Sequence, residues 1–174
     1  PWFAEHGITV HGGDVAVRID RAGHRVELRY GTPLSYAHLV LATGARARRL
    51  GMLPRGLDNV AVLRSADDAE QLRERLHRAA TVGVLGGGFI GLEVAATARA
   101  LGKAVTVIES LPRLLARSVS APLAEHVLAT HRSAGIDIRL GSHVQAFEHE
   151  GRELASVTVD GATLHVRLAS KPVV

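Results

Sequence analysis

The chain has 174 residues, enough for one domain or two small ones. Its composition, with 47% hydrophobic and 22% charged residues, argues against intrinsic disorder. It has no cysteine, which excludes disulfides, thiolate metal sites and cysteine nucleophiles, and no apolar run approaches the roughly 18 residues of a membrane span. The formal charge is +4, but with only 3% aromatic residues and no lysine–arginine run we expect no nucleic-acid partner.

Residues 1–50 alternate short β-type runs with turns. The continuously apolar run Leu39–Ala42 predicts a strand buried on both faces, which ends at Thr43 and Gly44. Residues 45–64 have the arginine, proline and glycine content of a linker. Three further strands are predicted before Leu39: Ile8–His11, Val15–Asp20 and Arg25–Tyr30.

The second part of the chain alternates strands with helices. Ser65 and Asp68 have the spacing of a helix capping box, and the apolar residues behind them predict a helix over about 66–78. Pro122 marks the start of a later helix that ends at Gly135. The other predicted elements are a strand over Thr81–Leu85, a helix over Phe89–Leu101, and strands over Ala104–Ile108, Ile136–Leu140, Val144–Glu148, Leu154–Val159 and Leu164–Val166. This alternation predicts an α/β fold.

A weak internal repeat links the two parts. The segment that begins at Gly7 resembles the one that begins at Gly135, 128 positions later, and the turn at Gly31 resembles the one at Gly161, 130 positions later. The nearly constant offset predicts two copies of one nucleotide-binding domain, the first of them truncated.

The motif that best indicates chemistry is G-x-G-x-x-G over residues 86–91. It follows an apolar strand and opens a helix, and Glu109 lies 18 positions beyond it at the end of the next strand, which is the pattern of a Rossmann dinucleotide-binding domain. We expect Gly86 to make the tight turn, Gly88 to let backbone amides approach a pyrophosphate, and Gly91 to let the helix pack on the sheet. The cofactor-binding residues expected here are Gly86, Gly87, Gly88, Phe89, Ile90 and Gly91.

Glu109 is expected to select the cofactor. A carboxylate at this position accepts hydrogen bonds from ribose hydroxyls and repels a 2′-phosphate, which favours NAD over NADP. Arg113 and Arg117 follow a few residues later and have the chemistry to pair with a 2′-phosphate, but they also suit salt bridges or the diphosphate.

The sequence leaves the roles of two other groups of residues undecided. Glu93 lies near the start of the glycine-motif helix, where it either interacts with the helix dipole or points toward the nicotinamide end of a bound cofactor. Thr43, Gly44 and Ala45 end a predicted strand, which is where α/β folds bind ligands, and Arg46 behind them either reaches phosphates or is solvated. The histidines do not have metal-ligand spacing, so we expect no metal site.

These motifs resemble the FAD-dependent pyridine-nucleotide oxidoreductases, and most closely the NADH-dependent ferredoxin reductases of bacterial oxygenase systems. The resemblance rests on residues 39–46, on the glycine motif with Leu92, Glu93 and Val94, and on the segment from Thr106 through Glu109 to Arg117. It covers about Trp2 to Leu164.

The resemblance implies that an NAD-binding domain is inserted into an FAD-binding domain. It also implies hydride transfer from NADH to the flavin and electron delivery to an iron–sulfur ferredoxin. Thr43, Gly44, Ala45 and Arg46 would contact FAD, a position near Ala16 would contact the adenine, Arg117 would contact NAD, and Glu93, as the catalytic residue, would lie beside the nicotinamide.

Departures from the family pattern define the alternatives. No glycine motif for FAD precedes Thr81, and residues 165–174 do not resemble the family's return to the FAD domain, so we expect a fragment with weak or no FAD binding. We predict a partial FAD-binding domain over 1–50, a linker and entry helix over 51–78, and an NAD-binding domain over 79–174. The alternatives are a nitrite reductase or NADH oxidase type of flavoprotein, or a non-catalytic NAD-binding remnant. Without a signal or transit pattern, we expect a cytoplasmic protein with no membrane contact.

Overall fold

The computed structural model describes residues 2–165, which form two compact units divided between Ala45 and Arg46. The first unit contains the short helix α1 (Trp2–Glu5) and the strands β1 (Ala16–Asp20), β2 (Arg25–Leu28) and β3 (Leu34–Ser35). The strands form an antiparallel sheet in the order β1-β2-β3. None of the described residues of this unit is buried, so it has no hydrophobic core of its own.

Two strand predictions in this unit are wrong. Neither Ile8–His11 nor Leu39–Ala42 forms a strand, and Val40 and Leu41 are 83% and 69% exposed. A continuously apolar strand is stable only between hydrogen-bonded neighbours that cover both of its faces. The described part of the unit contains only the small antiparallel sheet, so these two runs stay exposed and outside any strand.

The second unit has an α/β layer followed by a β-meander. Parallel strands β4 (Thr81–Leu85), β5 (Ala104–Glu109) and β6 (Asp137–Leu140) form a sheet in that order. The helices are α2 (Ala66–Arg78), α3 (Phe89–Ala100) and α4 (Ala121–Ser133), and the antiparallel meander consists of β7 (Val144–Glu150), β8 (Glu153–Val159) and β9 (Ala162–His165). The predicted helices and strands of this unit are therefore confirmed to within a few residues; the predicted end at Val166, with the tail to Val174, lies outside the described residues.

The core of this unit lies between the parallel sheet and its helices. Val107 at the centre of β5 and Ala95 and Ala98 on α3 are fully buried, and Leu114 is almost so. Alanine on the sheet-facing side of α3 lets the helix approach the strands closely, since no long side chain separates them. The close packing fixes the start of α3 against the end of β4.

The α2 helix begins as predicted. The Ser65 hydroxyl accepts a hydrogen bond from the Asp68 amide at 3.1 Å, and the Asp68 carboxylate accepts one from the Ser65 amide at 2.9 Å. This reciprocal capping box satisfies two amides that have no partner inside the helix.

The two β-meanders match each other along the chain. The first residues of β1, β2 and β3 are Ala16, Arg25 and Leu34, and those of β7, β8 and β9 lie 128 positions later in each case. Both meanders are antiparallel and connect neighbouring strands. This common offset supports the expected domain duplication.

The predicted linker is anchored to the second meander. Asp58 donates its amide to the Arg152 carbonyl at 2.7 Å, and its carboxylate accepts hydrogen bonds from the Arg152 guanidinium, with a shortest distance of 2.7 Å. Asn59 exchanges two hydrogen bonds of 2.8 Å with the backbone of Leu154. Residues 58–59 are therefore attached by hydrogen bonds to the start of β8 and to Arg152, the residue before it.

Acid is expected to weaken this attachment of residues 58–59 to the second meander. The hydrogen bond from Arg152 holds the pKa of Asp58 below its ordinary value of 3.8, so the attachment is stabilised above about pH 4 and weakens as the pH falls through the lower pKa of the folded state. Hydrogen-exchange protection of the Leu154 amide, corrected for the intrinsic rate, should decrease in this range, whereas in Asp58→Asn it should be lower at pH 7 and should not change over the same range. Full protection of Leu154 in Asp58→Asn at pH 7 would contradict this prediction.

Candidate nucleotide-binding site

The glycine motif forms a tight turn between β4 and α3. Gly86 has φ +111°, a conformation that side chains rarely adopt, and its amide donates to the Ile108 carbonyl at 2.8 Å. A Cβ at Gly91 would collide with the Gly86 carbonyl and press against Val84. Gly86 thus makes the turn and Gly91 allows close packing of α3, as the spacing predicts.

Gly88 lies where the backbone is open to a ligand. A Cβ built on Gly88 would meet nothing within 4 Å, and the residue is exposed. The first bond of α3 runs from the Leu92 amide to the Gly88 carbonyl at 3.0 Å, so the amides of Phe89, Ile90 and Gly91 have no intrahelical acceptor four residues back. These amides and the positive end of the helix dipole form a suitable environment for an anion.

Glu109 ends β5 at the carboxyl edge of the parallel sheet, next to this turn. Its Oε2 accepts a hydrogen bond from the Gly87 amide at 2.7 Å, and its Oε1 accepts one from the Leu111 amide at 2.8 Å. The carboxylate is half-buried and fixes the glycine turn against the loop that follows β5. Oxygens bound to one amide each still have lone pairs for ribose hydroxyls.

A cleft of about 280 Å³ lies between the turn and the loop after β5. Pockets for small molecules usually have about 300–1,000 Å³, so the cleft is large enough for part of a dinucleotide. Its lining residues are Gly87, Gly88, Glu109, Ser110, Leu111, Leu115, Ala116, Arg117 and Ser118. Open backbone, helix N-terminus, carboxylate and arginine thus meet in one place, and this combination suits the diphosphate and ribose of a nucleotide.

The two arginines of this loop differ in their surroundings. Arg117 lines the cleft and is exposed, and within residues 2–165 its guanidinium has no hydrogen bond or ion pair. Arg113 instead donates to the carbonyls of Val119 and Ala116, at 2.9 and 2.8 Å. Within residues 2–165 Arg113 thus forms no salt bridge and does not line the cleft; it is bonded to its own loop, a role not expected from the sequence.

Glu93 is exposed on α3, and no partner for its carboxylate is seen within the part of the chain that the structure describes. Phe89 and Ile90, one turn earlier on the helix, are 55% and 54% exposed. The outward face of α3 beside the glycine turn is therefore largely apolar with one carboxylate. The position of Glu93 beside a nicotinamide remains a prediction.

The residues expected to contact FAD lie in exposed parts of the chain. Thr43, Gly44 and Ala45 are exposed and lie outside any helix or strand, Gly44 has a left-handed φ of +76°, and Arg46 is the first residue of the other unit. Ala16 is the exposed first residue of β1, opposite Leu28. Within residues 2–45 the one helix, α1, has four residues and does not follow a glycine turn, so this part of the chain contains no second diphosphate turn like that at residues 86–91.

Several lining residues of the cleft were not identified from the sequence. Ser110, Leu111, Leu115, Ala116 and Ser118 line the cleft because the loop after β5 folds back over the glycine turn. The only sequence signal for them is their closeness to Glu109 and the Pro112 that interrupts the chain there.

Two negative observations apply to residues 2–165. They contain no group of three or more histidine, aspartate or glutamate side chains placed to hold a metal ion. They also contain no helix with the length and apolar character needed to cross a membrane.

Sequence comparison identifies the family. Residues 4–169 match the model of the pyridine nucleotide-disulphide oxidoreductases. The chain belongs to this family, as the resemblance of its motifs predicts.

Similar proteins include several reductases. The chain is 40% identical over 165 residues to rhodocoxin reductase of Rhodococcus erythropolis, a match that covers 94% of this chain and 39% of that protein. It is 39% identical over 162 residues to the ferredoxin–NAD(+) reductase component of the p-cumate 2,3-dioxygenase system of Pseudomonas putida, a match that covers 93% of this chain and 40% of that protein. The chain thus spans about two fifths of the length of these relatives.

Solved structures confirm the fold. The ferredoxin reductase for the CYP199A2 system of Rhodopseudomonas palustris superposes with a TM-score of 0.83 at 41% identity, over 95% of this chain and 41% of that one. The reductase in a covalent putidaredoxin reductase–putidaredoxin complex gives a TM-score of 0.82 at 36% identity, over 96% and 42% of the respective chains. The α/β fold with a Rossmann-like nucleotide-binding unit is therefore established.

Proposed function

We propose that this chain supplies the pyridine-nucleotide site of an NADH-dependent ferredoxin reductase, with NAD(H) bound in the cleft between residues 86–88 and Glu109. The observation that supports this most strongly is the joint geometry of the open turn at Gly88 and the carboxylate of Glu109. In this proposal the NAD-binding domain corresponds to residues 79–174, preceded by a linker and entry helix and by part of an FAD-binding domain over 1–50.

The chemistry of binding follows from the groups that line the cleft. The first amides of α3 would donate hydrogen bonds to the diphosphate, and the helix dipole would stabilise its charge. Glu109 would accept hydrogen bonds from the ribose hydroxyls, and Arg117 would add a positive charge on the other wall of the cleft. Because a 2′-phosphate would meet the Glu109 carboxylate, the site favours NADH over NADPH.

The activity of the whole protein is part of the same proposal. Relatives named as ferredoxin–NAD(+) reductases and a reductase crystallised with putidaredoxin support an iron–sulfur protein of the ferredoxin type as the electron acceptor. FAD would accept the hydride of NADH in such a reductase, with Glu93 beside the nicotinamide and Thr43, Gly44, Ala45, Arg46 and Ala16 at the flavin. We further propose a cytoplasmic location, consistent with NADH as the reductant.

Replacement of Glu109 by alanine tests the site. The variant loses the ribose hydrogen bonds and both backbone contacts of the carboxylate, so we expect NADH binding to weaken about tenfold to a hundredfold, since hydrogen bonds to charged groups contribute about 1.5–3 kcal/mol. The measurement is a fluorescence titration with NADH, accompanied by thermal unfolding.

Glu125→Ala is the matched control. It removes a carboxylate of the same kind from the exposed surface of α4, away from the cleft, and should leave the dissociation constant unchanged. Equal affinity in Glu109→Ala and the unmodified chain would contradict the proposed site. Failure of the unmodified chain to bind NADH would contradict both this proposal and the alternative of a non-catalytic NAD-binding remnant.

A further inference from the structure

The loop between β5 and α4 has a shape that its own sequence disfavours. Leu115 has φ +51°, in the left-handed region, which costs a residue with a side chain about 1–2 kcal/mol. No glycine or asparagine occupies this position, so other contacts must hold the backbone there. Since Ser110, Leu111 and residues 115–118 form one wall of the nucleotide cleft, the contacts that hold the loop also position that wall.

Backbone contacts hold one side of the loop. The Leu115 amide donates to the Gly87 carbonyl at 3.0 Å, which ties the loop to the glycine turn. The Leu115 carbonyl accepts from the amides of Ser118 and Val119, at 2.8 and 3.2 Å. The side chains of Leu114 and Leu115 are anchored in the core, because these residues are only 1% and 6% exposed.

Arg113 holds the other side. Its two terminal nitrogens donate to the Ala116 and Val119 carbonyls, and these carbonyls flank the two residues Arg117 and Ser118 that face the cleft. A planar guanidinium has two nitrogens in a rigid fork and can bridge two carbonyls, whereas a lysine ammonium presents a single nitrogen. Arg117, by contrast, has no partner within residues 2–165 that would fix its direction.

We propose that Arg113 is a positioning residue for nucleotide binding: it bridges the carbonyls of Ala116 and Val119 and thereby holds Arg117 at the cleft. The proposal rests on the proposed function, because it assigns the nucleotide as the molecule that Arg117 meets. Arg113 itself touches no part of the nucleotide and acts through the loop.

A double-mutant cycle with NADH as the probe tests this coupling. Arg113→Lys should weaken NADH binding about threefold to tenfold, and Arg117→Ala should weaken it by a similar factor. If Arg113 acts through Arg117, the double variant should bind no more weakly than Arg117→Ala alone. Additive losses would overturn the proposal, because a purely structural effect of Arg113 would persist without Arg117.

Arg132→Lys is the matched control. Arg132 also donates to a backbone carbonyl, that of Ile138 at 3.1 Å, but it lies outside the cleft. Its replacement should leave NADH affinity unchanged. If Arg113→Lys binds NADH as well as the unmodified chain does, only the role of Arg113 is contradicted, whereas no NADH binding by the unmodified chain contradicts both proposals.

A measurement on the unmodified chain keeps the proposal testable if Arg113→Lys does not fold. NMR of the arginine side chains should show the Arg113 guanidinium protected from exchange and slow to rotate both with and without NADH. The Arg117 guanidinium should become restricted only after NADH is added. Free rotation of Arg113, or an Arg117 signal that NADH does not change, would overturn the proposal.

Discussion

Gly88→Val is expected to weaken NADH binding at least a hundredfold while the protein stays folded. The valine side chain would fill the open space above the turn, where a Cβ on Gly88 meets no other atom within 4 Å, and would keep a diphosphate from the amides at the start of α3. Loss of two charge-assisted hydrogen bonds, at about 1.5 kcal/mol or more each, gives this factor. The measurement is a fluorescence titration with NADH.

The fold is expected to tolerate this change. Gly88 has φ −85° and ψ 178°, extended backbone that any residue adopts, and loss of a glycine N-cap costs about 1 kcal/mol or less. Gly83→Val, at an exposed position in β4 with equally open surroundings, is the control and should bind NADH normally. Undiminished affinity in Gly88→Val would mean that the nucleotide does not bind over the turn.

Gly91→Ala is expected to lower the free energy of unfolding by about 1–3 kcal/mol, the usual cost of overpacking a rigid site. The added methyl group would meet the Gly86 carbonyl. The backbone of Gly86 is fixed by the hydrogen bond from its amide to the Ile108 carbonyl, so the start of α3 must move away from β4. Chemical denaturation measures this change, and NADH binding should weaken as well because the helix N-terminus is displaced.

Gly83→Ala provides the comparison for this variant. Its methyl group would enter open space, and alanine is favoured over glycine in a strand, so stability should stay equal or rise slightly. If Gly91→Ala were as stable as Gly83→Ala, the close approach of α3 to the turn would not contribute to the fold.

Local sequence signals predicted the second unit well. The capping box at Ser65 and Asp68, the glycine turn and the alternation of strands with helices all act over short stretches of chain, so each pattern could be evaluated on its own. The same is true of Glu109, whose distance from the glycine motif follows from one helix and one strand.

The two wrong strands failed for the opposite reason. Leu39–Ala42 has the composition of a central strand, but strand formation depends on hydrogen-bonded neighbours that composition does not reveal. In the described first unit those neighbours are lacking, and the run is exposed. The composition of this segment therefore favours a buried strand, but the lack of hydrogen-bonded neighbours in the described first unit leaves it outside any strand.

The role of Arg113 was not predictable for a related reason. Its partners are backbone carbonyls of a loop in which Leu115 adopts a left-handed conformation. A leucine gives no sequence signal for such a turn, whereas a glycine or asparagine would. From charge and spacing alone Arg113 and Arg117 are equivalent, and the family resemblance assigns a cofactor contact to Arg117 but no role to Arg113. Only the structure of the loop distinguishes Arg113, which donates to backbone carbonyls, from Arg117, which faces the cleft.

Binding of NADH in one defined cleft is tested most directly by an NMR titration of the ¹⁵N-labelled chain with NADH. We predict chemical-shift changes concentrated at the amides of residues 86–91, Leu111 and residues 115–118. An absence of shift changes, or changes confined to residues outside this cleft such as Thr43 to Arg46, would contradict NADH binding at this site.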